Sequence, residues 1–240
     1  MSYRRNVLPR ARLEPDRLTA AMVGIGMNFA AEAEPDVNIE DTLTFASVEG
    51  MENDDLRVLA VLVSWLDEHL RWVNADRLFR VVARHDSARV RAFWSAVARW
   101  KSGDRRFARM ARIHAGPRVD LPRTGADFLI GRHGEDARFR DGSLRVPANV
   151  LRDRPGDVQS SAALARRHRA YRFRVLMGPT YRADMWAVLE ADPSLPAAEL
   201  ARRTYGSFAT ASQVKHDWRL LNAPSENRLA GARSDHPPAL

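Results

Sequence analysis

The side chains best suited to specific chemistry lie near the C-terminal end, between residues 208 and 221. If this segment is a helix, its outward positions carry polar groups at helical spacing: Ser212, Gln213, His216 and Arg219, flanked by Thr210 and Lys215. Gln can bond adenine bidentately, Arg can bond guanine, and Ser or Thr can reach a phosphate or a base edge. The segment therefore predicts a helix that reads the major groove of double-stranded DNA.

The sequence shows no convincing motif for catalysis or for metal binding. The seven His residues show no metal-ligand spacing, the chain has no Cys, and no Gly-x-Ser-x-Gly or P-loop occurs. Gly24-Ile25-Gly26 lacks the third glycine of a nucleotide loop. Two acidic pairs are interpreted as caps, surface charge or partners of Arg: Asp184 with Glu199, and Glu135 with Asp136. We expect no enzymatic activity, no metal and no cofactor.

The composition favours a polyanionic partner. The net charge is +8 and the pI about 10.7. All but two of the basic residues are Arg, a bias that genomic base composition would also produce. Hydrophobic residues make up 45% of the chain, enough for a packed core. Residues 58–66 form the longest apolar run, which is too short to span a bilayer and predicts a buried helix. Cytoplasm is the expected location.

The elements before residue 150 predict a helical domain. Residues 1–52 are expected to be irregular, and 53–150 to form helices and a β-hairpin. One helix follows the cap candidates 53–55, a second spans 75–84, and a third follows Ser87. The third has the clearest apolar stripe: Val90, Phe93, Trp94, Val97 and Trp100. A short helix is predicted over 105–113.

Strand signals follow these helices. Residues 128–130 fit a strand, and 138–140 with 144–146 flank Asp141-Gly142-Ser143, which is typical of a hairpin. Helices followed by a hairpin also allow a second, degenerate winged unit at about 54–147. Residues 151–160 are interpreted as a linker, and 223–240 as a flexible tail.

An Arg-rich helix is predicted over 161–177, with Ser160 or Ser161 as its cap. Its polar side carries five arginines that fit either a phosphate-binding face or a solvated surface: Arg166, Arg167, Arg169, Arg172 and Arg174.

Three short helices are predicted next, over 182–191, 196–204 and 208–221. Gly206 is expected to take positive φ at the end of the second helix, and Ser207 to cap the third. Small Ala residues in the second helix let the third cross closely, as a helix-turn-helix requires. Arg202 and Arg203 would hold the DNA backbone. Residues 161–222 are thus expected to form one domain.

At these residues the sequence resembles the helix-turn-helix and winged-helix regulators of bacteria. The resemblance covers residues 181–221 and rests on three segments: Arg182-Ala183-Asp184-Met185 with Val188-Leu189, Ala198-Glu199-Leu200-Ala201, and Gly206. Similar stretches occur in transcriptional regulators and in antitoxins of abortive-infection operons. The resemblance implies a trihelical, winged-helix-like fold and DNA binding. It departs at Pro196, where Ser or Thr is the usual cap, and no hairpin pattern follows the third helix.

The first hypothesis is a mainly α-helical, sequence-specific DNA-binding regulator, expected to be a homodimer because paired half-sites multiply specificity. Its Arg-rich helix and basic N-terminus would supply phosphate contacts. The alternative is a non-enzymatic protein-interaction subunit, such as an antitoxin or a phage-defence component, with region 54–113 binding the partner. A third is RNA or non-specific nucleic-acid binding, which needs only the Arg faces.

Overall fold

The computed structural model describes residues 14–223, which are mainly helical with a two-stranded sheet. The chain order, with short 3-10 turns omitted, is α1 Pro15–Gly24, α2 Ile39–Glu52, α3 Leu56–His69, α4 Ala75–Val82, α5 Ala88–Trp100, β1 Val119–Asp120, α6 Ala126–His133, β2 Leu144–Arg145, α7 Ser161–Arg167, α8 Arg169–Met177, α9 Tyr181–Ala191, α10 Ala197–Thr204 and α11 Phe208–Asn222. No helix in the described range is long and apolar enough to cross a membrane.

The large core forms around α3, whose apolar run is buried on nearly every side, as the sequence predicts. Side-chain caps fix the starts of the surrounding helices. Asp55 accepts a hydrogen bond from the Val58 N–H, Asn74 from Arg77, and Ser87 from Val90. These caps confirm the predicted beginnings of α3, α4 and α5, because each satisfies an N–H that the helix itself cannot. The segment predicted as a helix over 105–113 contains two 3-10 turns instead.

The expectation that residues 1–52 are irregular is wrong for the part that the structure describes, which contains α1 and α2. Helix α2 begins at its cap Asn38, which accepts from the Asp41 N–H, and it packs on α3 and α5. Its buried side includes the polar residues Glu40, Thr44 and Ser47, so the sequence of α2 lacks the regular spacing of apolar residues that predicts a helix. Internal partners satisfy these groups; the Ser47 hydroxyl, for example, accepts from Trp94 Nε1 at 2.9 Å.

The predicted hairpin and the strand at 128–130 are also wrong. Strand β2 pairs with β1 in parallel, with Val119 opposite Leu144, and residues 138–140 belong to turns. Phe139, in these turns, is buried with its ring 6.0 Å from that of Trp100. Residues 128–130 lie inside α6. Residues 54–147 therefore lack the β-hairpin that a second winged unit would need as its wing.

The segment 151–160 is packed into the fold, contrary to its interpretation as a linker. Leu151 is buried, the Asn28 N–H donates to the Asp157 carbonyl at 2.8 Å, and the Gln159 N–H donates to Gly26 at 2.8 Å. The predicted helix 161–177 is two helices, because His168 leaves the helical conformation and caps α8. Helices α7 and α8 bury Leu164 and Tyr171 in the large core, so the large core extends past the predicted domain boundary at 161.

The three C-terminal helices lie where the sequence predicts them, within one or two residues, and share a second, smaller core. This core contains Met185, Trp186, Leu189, Leu200, Ala201, Ala211 and Val214. Both strands of the described residues precede α9, so no wing follows α11 up to Ala223. The basic N-terminal stretch and nearly all of the predicted flexible tail, residues 1–13 and 224–240, lie outside the described residues.

Candidate nucleic-acid interface and the cleft behind it

Helix α11 is positioned by its inner side and by the turn before it. Ser207 caps it by accepting from the Thr210 N–H at 3.1 Å, as predicted, and Ala211 and Val214 are buried. The Trp218 ring stacks 5.1 Å from that of Trp186 on α9. The helical period would also place Leu221 on this inner side, but Leu221 is 74% exposed. The packed side of α11 therefore ends at Trp218, about one turn before the helix ends.

The turn before α11 differs from the prediction in its backbone. Tyr205, not Gly206, takes the left-handed conformation, with φ of 57°, and ends α10. Gly206 does not have positive φ, and its surroundings are close for another reason. A Cβ there would lie 2.2 Å from Met185 Cε, so the absence of a side chain lets the turn approach α9.

The outward face of α11 carries the predicted base-reading residues. Four side chains are exposed there: Ser212, Gln213, His216 and Arg219. The Gln213 amide donates to Asp217 Oδ1 at 2.9 Å. The two flanking residues are engaged locally, since Thr210 hydrogen-bonds Ser207 and the Lys215 ammonium donates to the Leu195 carbonyl. The face therefore combines exposed donors and acceptors with a rigid attachment to α9 and α10.

Arg202 and Arg203, predicted to hold the DNA backbone, share one carboxylate on their own helix. Glu199 accepts from Arg202 Nε at 2.6 Å and from Arg203 Nε at 2.8 Å. The hydrogen bonds from the two guanidinium groups lower the pKa of Glu199 to about 2. Both arginines remain half exposed at the surface.

Most arginines of the segment 161–177 have partners within the chain. Arg167 donates to the carbonyls of Val23 and Gly24, Arg169 pairs with Asp36, and Arg172 with Glu190. Arg166 is exposed. The phosphate-binding face remains a prediction, but the break at His168 divides the arginines between two helices, and the ion pairs of Arg169 and Arg172 neutralise part of their charge.

Arg174 is buried instead of facing solvent. Its Nη1 and Nη2 donate to the two carboxylate oxygens of Glu40, at 2.7 and 2.9 Å, and its Nε and Nη2 donate to Asp184, at 2.8 and 3.0 Å. Glu40 also accepts from the Asn74 N–H at 2.8 Å. The three charged groups join α2, α8 and α9, so this cluster connects the large core to the C-terminal helices.

The two carboxylates of this cluster respond differently to burial. Burial raises the pKa of Asp184, and the nearby negative charge of Glu40 adds to that, so Arg174 only partly offsets it. Burial acts in the same direction on Glu40. However, the charge and hydrogen bonds of Arg174, with further help from Arg77, lower the pKa of Glu40 below its usual value.

A second buried arginine extends the cluster. Arg77 is fully buried and pairs with Asp41, whose other oxygen accepts from the Tyr205 hydroxyl at 3.0 Å. The Arg77 guanidinium lies 3.4 Å from the centre of the Tyr205 ring. Tyr181 donates to Asp76 at 3.1 Å. The sequence analysis did not identify these residues, although Asn38 followed by the acidic pair at 40–41 in the first helical turn is a helix-start signal that predicts α2.

A cleft of about 570 Å³ lies between the start of α2 and helices α8, α9 and α10. Arg169, Arg202 and Arg203 line it, and Arg174 and Asp184 are the buried charges among its lining. The lining also contains the carboxylates Asp36 and Asp192 and apolar side chains such as Val37 and Val188. The cleft thus brings together arginines that the sequence assigned to separate helices.

Two buried histidines surround Tyr171 behind the cleft. His69 Nε2 faces the Gln159 carbonyl at 3.0 Å and must donate to it, so Nδ1 accepts from the Tyr171 hydroxyl at 2.7 Å. His168 likewise donates to the Val37 carbonyl at 3.0 Å and accepts from the Tyr171 N–H at 3.2 Å. Burial lowers the pKa of each to about 4, so both are neutral at pH 7.

The acidic pairs named from the sequence are partners of arginine. Asp184 bonds Arg174, Glu199 bonds Arg202, and Glu135 and Asp136 bond Arg118 and Arg138. Within the described residues no group of three or more His, Cys, Asp or Glu side chains is placed to hold a metal ion.

Compared with known proteins, the chain matches no model of a protein family, no curated protein and no solved structure.

Proposed function

We propose that this protein is a non-enzymatic, sequence-specific double-stranded DNA-binding regulator and that α11 is its recognition helix. The observation that carries the proposal is the exposed polar face of α11, with Gln213, His216 and Arg219, on a helix held firmly by Trp218 and Val214. The diameter of an α-helix matches the width of a major groove, and these side chain types can discriminate base edges. Binding as a homodimer to paired half-sites would supply the specificity that one helix lacks.

The structure divides the arginines named from the sequence into two groups. Arg219 and Arg166 are exposed and free to contact phosphates or bases. Arg167, Arg169, Arg172, Arg202 and Arg203 bond carbonyls or carboxylates of the chain, so each would first have to exchange a partner for a phosphate; Arg174 is bound in the same way but buried. In the proposed function, α11 therefore supplies the specificity, and Arg219 and Arg166 contribute to phosphate binding.

Fluorescence anisotropy with the full chain tests this proposal, using the DNA upstream of its own gene and a random duplex pool at two salt concentrations. Gln213→Ala should weaken binding to the preferred duplex by roughly 5- to 150-fold, since a bidentate contact to a base contributes about 1–3 kcal/mol. Arg219→Ala should weaken binding as well. Arg132→Ala removes the same charge from an exposed position on α6 and is the matched control.

Equal affinity for the upstream duplex, random duplexes and RNA would replace this proposal with non-specific nucleic-acid binding. No binding at low salt, or identical losses for Arg219→Ala and Arg132→Ala, would reject α11 as the recognition helix.

A specific observation supports a second candidate, a protein-interaction subunit of a toxin–antitoxin or phage-defence complex. Large apolar side chains are exposed at the ends of α8 and α11: Leu176 is 71% exposed, Leu220 64% and Phe208 54%. Leu220 and its exposed neighbour Leu221 are adjacent on α11 and are candidate contacts for a protein partner. Co-expression with the product of the adjacent gene, followed by sedimentation analysis, tests this candidate. Leu176→Asp, which changes α8 and leaves the recognition helix intact, should dissociate such a complex while leaving DNA affinity unchanged.

A further inference from the structure

We propose that the cleft between the large core and α9–α10 binds a small organic anion, that is, a compact apolar body carrying a phosphate or carboxylate group. The cleft's volume of about 570 Å³ lies within the ~300–1,000 Å³ that is common for small-molecule sites. Its position between two separately packed cores is also a preferred location for such sites.

The anionic group is assigned from the arginines along the cleft. Arg169, Arg202 and Arg203 line it from two different helices, α8 and α10. Their present partners are the surface carboxylates Asp36 and Glu199. Exposed ion pairs of this kind contribute little free energy, so an incoming anion can take their place at small cost. Arg203 bonds Glu199 through Nε, which leaves its Nη groups to donate to a ligand.

The apolar body is assigned from the interior of the cleft. Val37, Ala187 and Val188 line it. Arg174 is bonded to both Asp184 and Glu40, so its donors are used within the protein and the ligand's anionic group is assigned to Arg169, Arg202 and Arg203. A DNA backbone could supply a phosphate but no compact apolar group to cover these side chains. These features favour a free small molecule over a nucleic-acid strand.

Occupancy of the cleft would connect the two parts of the protein. Residues 36–39 and α8 contribute one wall, and α9, α10 and Tyr205 contribute the other. A ligand that contacts both walls would restrain the turn that leads into α11, so it could act as an effector of that helix. The proposal that a small anion binds in the cleft rests on the geometry of the cleft and does not require that α11 binds DNA.

The test is a titration of the full-length, ¹⁵N-labelled protein with phenyl phosphate, and in parallel with neutral phenol, followed by NMR. Phenyl phosphate should shift the amides of 36–39 and 204–205 saturably, with a Kd on the order of 1 mM for so small a probe. Phenol should bind at least tenfold more weakly. Arg203→Ala should weaken phenyl phosphate binding about tenfold. Glu199→Gln should strengthen it several-fold, because it removes the competing carboxylate.

Arg219→Ala is the matched control, because Arg219 is exposed on α11 and does not line the cleft. It should weaken DNA binding and leave phenyl phosphate binding unchanged, so failure of the cleft and failure of the DNA proposal are distinguishable. Absence of saturable shifts at the cleft, equal binding of phenol, or equal losses for Arg203→Ala and Arg219→Ala would each overturn the inference.

Discussion

Replacing Arg174 with Met tests the buried cluster that connects the two cores. Arg174 is 1% exposed and serves Glu40 and Asp184 at once. Met roughly preserves the apolar volume of the side chain but leaves two carboxylates buried without their shared cation. Removing one partner of a buried ion pair costs about 3–5 kcal/mol, so Arg174→Met should lower the free energy of unfolding by that amount at pH 8. Urea unfolding, followed by circular dichroism, measures the change.

Helix α8 provides a matched control. Arg172 pairs with Glu190 at the surface, with the two side chains 40% and 37% exposed. The same substitution there, Arg172→Met, should cost no more than about 1 kcal/mol, because an exposed pair is screened by solvent.

Two further measurements separate lost charge pairing from lost packing. Without Arg174, burial and mutual repulsion should raise the pKa of both Glu40 and Asp184, so each takes up a proton in the folded state as the pH falls. The stability deficit of Arg174→Met should therefore shrink between pH 8 and pH 5. Combining it with Glu40→Gln and Asp184→Asn should recover much of the loss. A deficit below about 1 kcal/mol, or one that is equal at both pH values, would refute the electrostatic reasoning.

Two other predictions follow from burial. The folded-state pKa values of His69 and His168, about 4, lie below the ordinary 6.5, so their contribution to stability is complete above pH 6.5 and is lost as the pH falls from 6.5 to 4. Urea midpoints across this range should fall, and His168→Asn, which keeps a cap acceptor, should flatten the slope; an unchanged slope would contradict the shift. Gly50→Ala would place a Cβ 2.1 Å from Leu59 Cγ, where α2 crosses α3, and should destabilise the protein by about 1–3 kcal/mol in thermal unfolding. Gly103→Ala, at an open position, should change stability far less.

Local patterns predicted the elements whose signals lie within a few residues. Ser87 before an apolar stripe located α5, and Ser207 located α11, because a cap and a 3.6-residue period are properties of one segment. The separation of α9, α10 and α11 followed from their turn residues in the same way. The outward positions of Gln213, His216 and Arg219 followed from the helical period.

Features that depend on contacts between residues far apart in the sequence could not be predicted from local patterns. Helix α2 was missed because Glu40 and Ser47 are buried polar groups, and only their partners on other helices make such burial favourable. The predicted hairpin is wrong because Leu144 and Arg145 pair with Val119 and Asp120, a partner strand more than twenty residues away. The break at His168 depends on its bond to Val37, far away in the sequence.

The sequence by itself therefore determined where the helices of residues 53–100 and 181–222 lie, and which side chains of α11 face outward, because caps and periodicity act locally. Only the tertiary structure decided which arginines are exposed and which are buried. Arg166 and Arg174 look alike in the sequence, yet Arg166 is exposed and Arg174 is buried between Glu40 and Asp184. A charge is buried only where distant residues supply its counter-charges, and that requires the folded arrangement of α2, α8 and α9.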